Sequence, residues 1–124
     1  SLDIEKEIVL EKGEKLPVVF PAALLDATLQ FIRELRDNKD VMRKPSVRAS
    51  LGLYERAQAN AHLGNRTTVE AQDVLAAILS VLSHRIELRP AVKYLQTPEK
   101  FLGERWKRFA EHNDAFQDAG GEGL

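Results

Sequence analysis

Four stretches of the chain repeat apolar residues every three or four positions, which is the spacing of one face of a helix. They are Pro21 to Asp37, Pro45 to Gly64, Ala71 to Ser83, and the segment after Thr97 that carries Leu102, Trp106 and Phe109. The pattern predicts a mainly α fold, a small helical bundle, over residues 21–112.

The third stretch is the most apolar of the four. Its apolar side is formed by Val74, Leu75, Ile78, Leu79 and Leu82. A helix with so little polarity belongs at the centre of a core, and we expect Leu79 among its buried side chains.

The second stretch has clear boundary signals. Pro45 prevents a helix from continuing out of the preceding segment, and Ser46 is a suitable N-cap. Gly64 lies where a C-terminal cap would end the helix. Thr97 and Pro98 give a comparable start to the last helix, a cap followed by proline at the first helical position.

The two ends of the chain differ from its middle. In residues 1–20, two β-favouring runs, Glu7 to Glu11 and Lys15 to Phe20, flank Gly13. This pattern fits a short N-terminal β-hairpin, and an extended linker explains it equally well. The alternation of Ile86 and Leu88 predicts a small strand that would pair with such a hairpin. The glycine-rich residues 113–124 are expected to form a flexible tail.

Arg48 is the residue that helix stability does not explain. It falls in the first turn of the second stretch, where the helix dipole makes a cation unfavourable by ~0.3–1 kcal/mol. An arginine beside free backbone N–H groups is useful where a phosphate must bind. The simpler alternative is an ordinary surface arginine, which is common near helix starts.

Composition limits the classes of function. The chain has 124 residues, a formal net charge of −1 and no cysteine. The charge disfavours a general nucleic-acid binder, and the lack of cysteine excludes disulfides and thiolate metal sites while fitting a cytoplasmic protein. No apolar run has the length of a membrane span. The start at Ser1 without methionine suggests a piece of a longer protein.

The sequence contains no independent active site. It has no Gly-x-x-x-x-Gly-Lys-[Ser/Thr] phosphate loop and no apolar strand ending in paired acids that would hold magnesium. Its three histidines, His62, His84 and His112, lack the spacing of metal ligands. We therefore expect no catalysis and no metal site in this chain alone.

Four motifs, in matching order and spacing, resemble the C-terminal lid domain of MoxR-type AAA+ ATPases, a group related to the magnesium-chelatase ATPase subunit. The corresponding pieces are Ser46-Val-Arg-Ala49, the alanine-rich run from Ala57 to Arg66, Val69-Glu-Ala-Gln-Asp-Val74, and Val81-Leu-Ser-His-Arg-Ile86. The family patterns are Ser-Pro-Arg-Ala, a helix ending in Gly-Arg, Val-Thr-Pro-Glu-Asp-Val, and Val-Leu-x-His-Arg-Ile. The resemblance covers about residues 24–88.

The resemblance implies roles for particular residues. Arg48, with Ser46, would be the nucleotide-sensing pair, Arg48 acting as the sensor-2 arginine on the terminal phosphate. His84 and Arg85 would contact the nucleotide-binding domain or a neighbouring subunit, although cations at a helix C-terminus are also explained by capping. The sequence has Val47 where the family commonly has proline. At positions 70–72 the sequence has Glu-Ala-Gln where the family has Thr-Pro-Glu. The capping hydroxyl is therefore missing, or Thr68 supplies it instead.

The resemblance also implies a setting for the chain. ATP and Mg²⁺ would be bound by the full-length protein, mainly outside this fragment, and the AAA+ core domain would belong to the same polypeptide. Such proteins form homo-oligomeric rings that remodel a protein client or insert a cofactor into it. The alternative is a stand-alone helical protein-interaction module without nucleotide binding.

Overall fold

A computed structural model describes residues 1–113 of the chain. Within them the fold is mainly helical with one small sheet, as the sequence predicts. The elements are α1 (Leu2–Lys12), α2 (Ala22–Asp37), β1 (Val41–Arg43), α3 (Val47–Leu63), α4 (Ala71–Val81), a 3₁₀ turn (Leu82–His84), β2 (Glu87–Leu88), α5 (Pro90–Lys93) and α6 (Pro98–Glu111). The predicted flexible tail lies outside the described residues from position 114 onward.

The predicted helix boundaries are confirmed where the sequence carries capping residues. Ser46 Oγ accepts a hydrogen bond from the Ala49 amide at 3.4 Å, and α3 ends at Gly64. Thr97 Oγ1 accepts from the Lys100 amide at 3.2 Å at the start of α6. These short polar side chains satisfy amides that the first helical turn leaves without partners.

The core is shared by all the long helices. α3 packs against α4, and these two helices carry fully buried side chains, among them Ala57, Ala61 and Ile78. The small alanine side chains allow the two helix backbones to lie close together. On the other side, the Phe31 ring of α2 meets the Trp106 ring of α6 edge to face, with centroids 5.1 Å apart. The sequence predicts that Leu79 is buried, but this side chain is only half-buried, at the edge of the core.

The turn between α3 and α4 is fixed by ion pairs. The carboxylate of Asp73 is 3% exposed, pairs with the Arg66 guanidinium, and accepts a hydrogen bond from the Glu70 amide at 2.9 Å. The Asn60 side-chain amide donates to the Asp73 carbonyl at 3.1 Å. Glu70 is therefore the N-cap residue of α4, and the idea that Thr68 supplies the capping hydroxyl is wrong.

The N-terminal prediction is wrong over residues 2–12, which form α1 rather than a hairpin strand or an extended linker. Ser1 caps this helix by accepting from the Ile4 amide at 3.4 Å, and acidic residues occupy its first turn. Glu5 and Val9 are buried where α1 meets α2 and α3. These tertiary contacts override the β propensity of the local sequence, which is a weak determinant of strand formation.

The predicted strand near Leu88 exists, but its partner is different. β2 pairs antiparallel with β1, so that Val41 lies opposite Leu88 and Arg43 opposite Glu87. Within residues 1–113, the pairing of residues 15–20 is limited to one bridge between Val19 and Thr68. The small sheet brings the segment before α3 next to the 3₁₀ turn that follows α4.

Candidate functional site

A buried ionic network fixes the loop that leads into α3. Arg36 Nη1 and Nη2 donate to the two carboxylate oxygens of Glu5 at 2.7 and 2.6 Å, and its Nε donates to the Pro45 carbonyl at 2.7 Å. Ser50 Oγ also donates to Glu5, at 2.6 Å. Because Arg36 is held by α1 and itself holds Pro45, the network ties α1, α2 and α3 to the residue just before the Ser46 cap.

Glu5 remains ionised in this setting. Burial by itself would raise the pKa of the Glu5 carboxyl, but the hydrogen bonds from Arg36 and Ser50 and the charges of Arg36 and Arg33 outweigh it. The net result is a Glu5 pKa below the ordinary value of 4.5. The pair is therefore charged at neutral pH, with its polar atoms satisfied.

Arg48 lies on the exposed surface of the first turn of α3. Among residues 1–113, its guanidinium has no hydrogen-bond or ion-pair partner, and the first turn contains no acidic residue. The amides that begin a helix carry positive partial charge and have no partners within the helix. Within the described residues, the start of α3 therefore presents a free guanidinium and a helix dipole that no acidic side chain of the first turn offsets.

Next to this turn is an open cavity of about 500 Å³, which we call the basic cavity. It is lined by Arg43, Lys44, Ser46, His84 and Arg85. The structure thus brings together three predicted site residues, Ser46, His84 and Arg85, whereas Arg48 does not line the cavity.

Two hydrogen bonds orient the cations of the basic cavity. Arg43 Nη2 donates to the His84 carbonyl at 3.2 Å, and Lys44 Nζ donates to the Asn38 carbonyl at 2.6 Å. The side chains of His84 and Arg85 have no hydrogen-bond or ion-pair partner in the described part of the chain. They therefore do not cap the preceding helix through their side chains.

Sequence reasoning missed Arg43 and Lys44 as site residues. The available signal was an adjacent pair of basic residues directly before Pro45. Their relation to His84 and Arg85 depends on the pairing of β1 with β2, which joins segments about forty positions apart.

The chemistry that these groups offer is anion binding. Guanidinium and ammonium groups donate charge-assisted hydrogen bonds to carboxylate or phosphate oxygens. Over residues 1–113, no three histidine, cysteine or acidic side chains come together as a metal site. The described helices also include none that is long and apolar enough to cross a membrane.

Comparisons with known proteins agree with the architecture. Neither the curated proteins nor the solved structures contain a significant match to the chain. The family model described as "AAA lid domain" matches residues 39–101, a range that includes Arg48 and the whole basic cavity but excludes Glu5 and Arg36. Because this match spans just over half of the chain, the chain belongs to the AAA lid domain family and is the C-terminal lid of an AAA+ ATPase, attached to an AAA+ core.

Proposed function

We propose that the chain is the lid of a MoxR-type AAA+ ATPase and senses nucleotide through Arg48. The observation that carries this proposal is the position of Arg48, exposed and unpaired within residues 1–113, on the first turn of a helix whose start is held in place. The four motifs that resemble MoxR lids support the assignment to that subfamily.

Arg48 suits the sensor-2 role for a physical reason. A guanidinium has a permanent charge and a planar fork of donors that matches two phosphate oxygens. The α3 dipole adds attraction for the anion. The Ser46 cap and the Arg36 hydrogen bond to Pro45 restrict the loop before α3, so the backbone from which Arg48 extends is held in place.

In the full-length protein, the AAA+ core would bind ATP and Mg²⁺, and Arg48 would contact the terminal phosphate. Loss of that phosphate would remove the contact and change the angle between lid and core, which is how nucleotide state becomes movement. The setting we propose is a cytoplasmic homo-oligomeric ring that remodels a client protein or assists insertion of its cofactor.

The experiment is steady-state ATP turnover by the full-length ATPase. Arg48→Ala should lower turnover by roughly 100- to 1000-fold, the range for loss of one group that stabilises transition-state charge. Arg48→Lys should be nearly as harmful, because a point charge does not reproduce two-pronged hydrogen bonding. Arg56→Ala is the matched control, since Arg56 is exposed on the same helix. Unchanged turnover in both Arg48 variants would exclude the sensor role.

The alternative of a stand-alone interaction module has less support, because lids of this family are attached to an AAA+ core. It makes a simple opposite prediction. The gene would then lack an in-frame phosphate-loop sequence upstream of this segment.

A further inference from the structure

We propose that the basic cavity binds a compact polyphosphate, a ligand made of two or more linked phosphate groups. The site is separate from the proposed nucleotide sensor, because Arg48 does not line the basic cavity. The proposal therefore does not depend on the sensor role, and either of the two can fail while the other stands.

The cations of the basic cavity have more hydrogen-bond donors than the described residues use. Arg43 and Lys44 each donate one hydrogen bond to a backbone carbonyl, at 3.2 and 2.6 Å, although each side chain has several N–H groups. These bonds anchor the two side chains and leave their other N–H groups for a ligand. Over residues 1–113, the Arg85 guanidinium has no hydrogen-bond or ion-pair partner at all.

The protein supplies no counter-charge to these cations within the described residues. Three permanent cations line the basic cavity, and no carboxylate does. Glu87 lies opposite Arg43 in the sheet, but it forms no ion pair with it. The Asp40 carboxylate pairs instead with Arg89, at 2.6 Å. An anion bound in the basic cavity would relieve the mutual repulsion of these charges and would accept several charge-assisted hydrogen bonds.

The polarity and size of the basic cavity favour linked phosphates over other anions. Its lining includes no aliphatic, phenylalanine, tyrosine or tryptophan side chain, which a nucleotide base or an apolar protein surface would need. Each phosphate group carries a charge of about −1.5 to −2 near neutral pH and several acceptor oxygens, whereas a carboxylate carries a single charge. The volume of about 500 Å³ leaves room for more than one such group.

A bound polyphosphate would join two segments that are distant in the sequence. Arg43, Lys44 and Ser46 precede α3. His84 and Arg85 lie just after α4. Ser46 Oγ accepts a backbone hydrogen bond as the α3 cap, so its own hydroxyl proton is available to a ligand oxygen. Because the unfolded chain does not hold these segments together, the ligand should bind the folded chain and raise its melting temperature.

The test is isothermal titration calorimetry of the purified chain with sodium tripolyphosphate, in metal-free buffer whose ionic strength is held constant with sodium chloride. We expect saturable binding of one ligand per chain, tighter by about tenfold or more than the binding of inorganic phosphate, because linked groups reach more of the cations. The sequence has no phosphate loop that would bind tripolyphosphate elsewhere in the chain.

Substitutions locate the bound ligand. Lys44→Gln and Arg85→Gln each remove one lining cation and should weaken binding by about three- to tenfold, as expected for one charged contact in an open cavity. Lys44→Arg keeps the charge and should retain the affinity. Arg56→Gln, the same change of charge at an exposed position outside the basic cavity, is the matched control and should alter the affinity by less than about twofold. Arg48→Gln should behave like this control. Melting of each variant without ligand checks that it is folded.

Four results would overturn the proposal. Binding no tighter than that of inorganic phosphate, or an equal loss in Arg56→Gln and Arg85→Gln, would show only diffuse attraction between charges. A loss in Arg48→Gln as large as in Arg85→Gln would make the basic cavity part of the sensor. ATP bound more than about tenfold tighter than tripolyphosphate would show recognition of the base or sugar, and hence a nucleotide site. Turnover of the full-length Arg48 variants is measured separately, so failure of the sensor role is distinguishable from all four.

Discussion

Breaking the Glu5–Arg36 pair should clearly destabilise the fold, and Glu5→Gln tests this. Glutamine has nearly the same shape, so the change removes a charge without leaving a cavity. It leaves the Arg36 guanidinium, whose side chain is 24% exposed, without its carboxylate. Breaking a fully buried pair costs ~3–5 kcal/mol. Because Arg36 keeps some contact with water, we expect a loss of about 2–3 kcal/mol in the free energy of unfolding.

The assay is urea unfolding followed by fluorescence of Trp106, which is 4% exposed in the folded chain. The denaturant midpoint should fall while the slope of the transition stays constant. Glu7→Gln is the matched control, an exposed glutamate on the same helix, and it should leave the midpoint nearly unchanged. A loss below about 1 kcal/mol for Glu5→Gln would refute the stabilising role that we derive from the network.

The same pair predicts a pH dependence with a definite sign. The pKa of Glu5 in the folded chain is below the ordinary value of 4.5, so the unfolded chain takes up its proton first as the pH falls. The stabilisation is therefore complete above about pH 4.5 and is lost as the pH falls through the lower, folded-state pKa. The stability gap between wild type and Glu5→Gln should be constant near neutral pH and narrow in acid. A gap that widens in acid would contradict this assignment.

Three further predictions concern the core, the α3 cap and catalysis. Ile78→Ala should lower the free energy of unfolding in urea by roughly 2–5 kcal/mol, and Leu79→Ala by clearly less, because Ile78 is fully buried and Leu79 only half-buried. Equal losses for the two variants would contradict this description of the core. Ser46→Ala should lower the free energy of unfolding by about 0.5–2 kcal/mol, whereas Ser46→Asp should lose much less, since aspartate also caps helices. No change in stability for Ser46→Ala would show that the cap is not needed. The purified chain should hydrolyse no ATP above background, because its sequence has no phosphate loop; turnover that survives repurification would refute this.

Much of the helical framework was predictable because its signals are local. Ser46, Gly64 and Thr97 act on amides or carbonyls within a few positions of themselves, so their effect is visible in the sequence. The spacing of apolar residues identified the face of α4 that points toward the core, but not how deeply each side chain on that face is buried. It therefore placed Leu79 among the buried residues, although the structure leaves it at the edge of the core.

The parts that sequence reasoning missed depend on distant contacts. α1 is helical in a segment with β-favouring residues because Glu5 reaches Arg36 and Ser50, which lie 31 and 45 positions away. The basic cavity likewise depends on Arg43 meeting the His84 carbonyl across 41 positions. Neither contact follows from spacing or propensity, since both require the packing of α1 and the pairing of β1 with β2.

The most direct test of nucleotide sensing by Arg48 is a comparison of two equilibrium affinities in the full-length ATPase. ATPγS has a terminal thiophosphate and hydrolyses slowly, whereas ADP lacks the terminal group. If Arg48 binds that group, Arg48→Ala should weaken ATPγS binding by roughly 10- to 150-fold, the equivalent of about 1.5–3 kcal/mol for a charged hydrogen bond. The affinity for ADP should change by less than about twofold, because the contact that Arg48→Ala removes is to the terminal phosphate, which ADP lacks. An equal loss for both nucleotides, or no loss for either, would contradict the account.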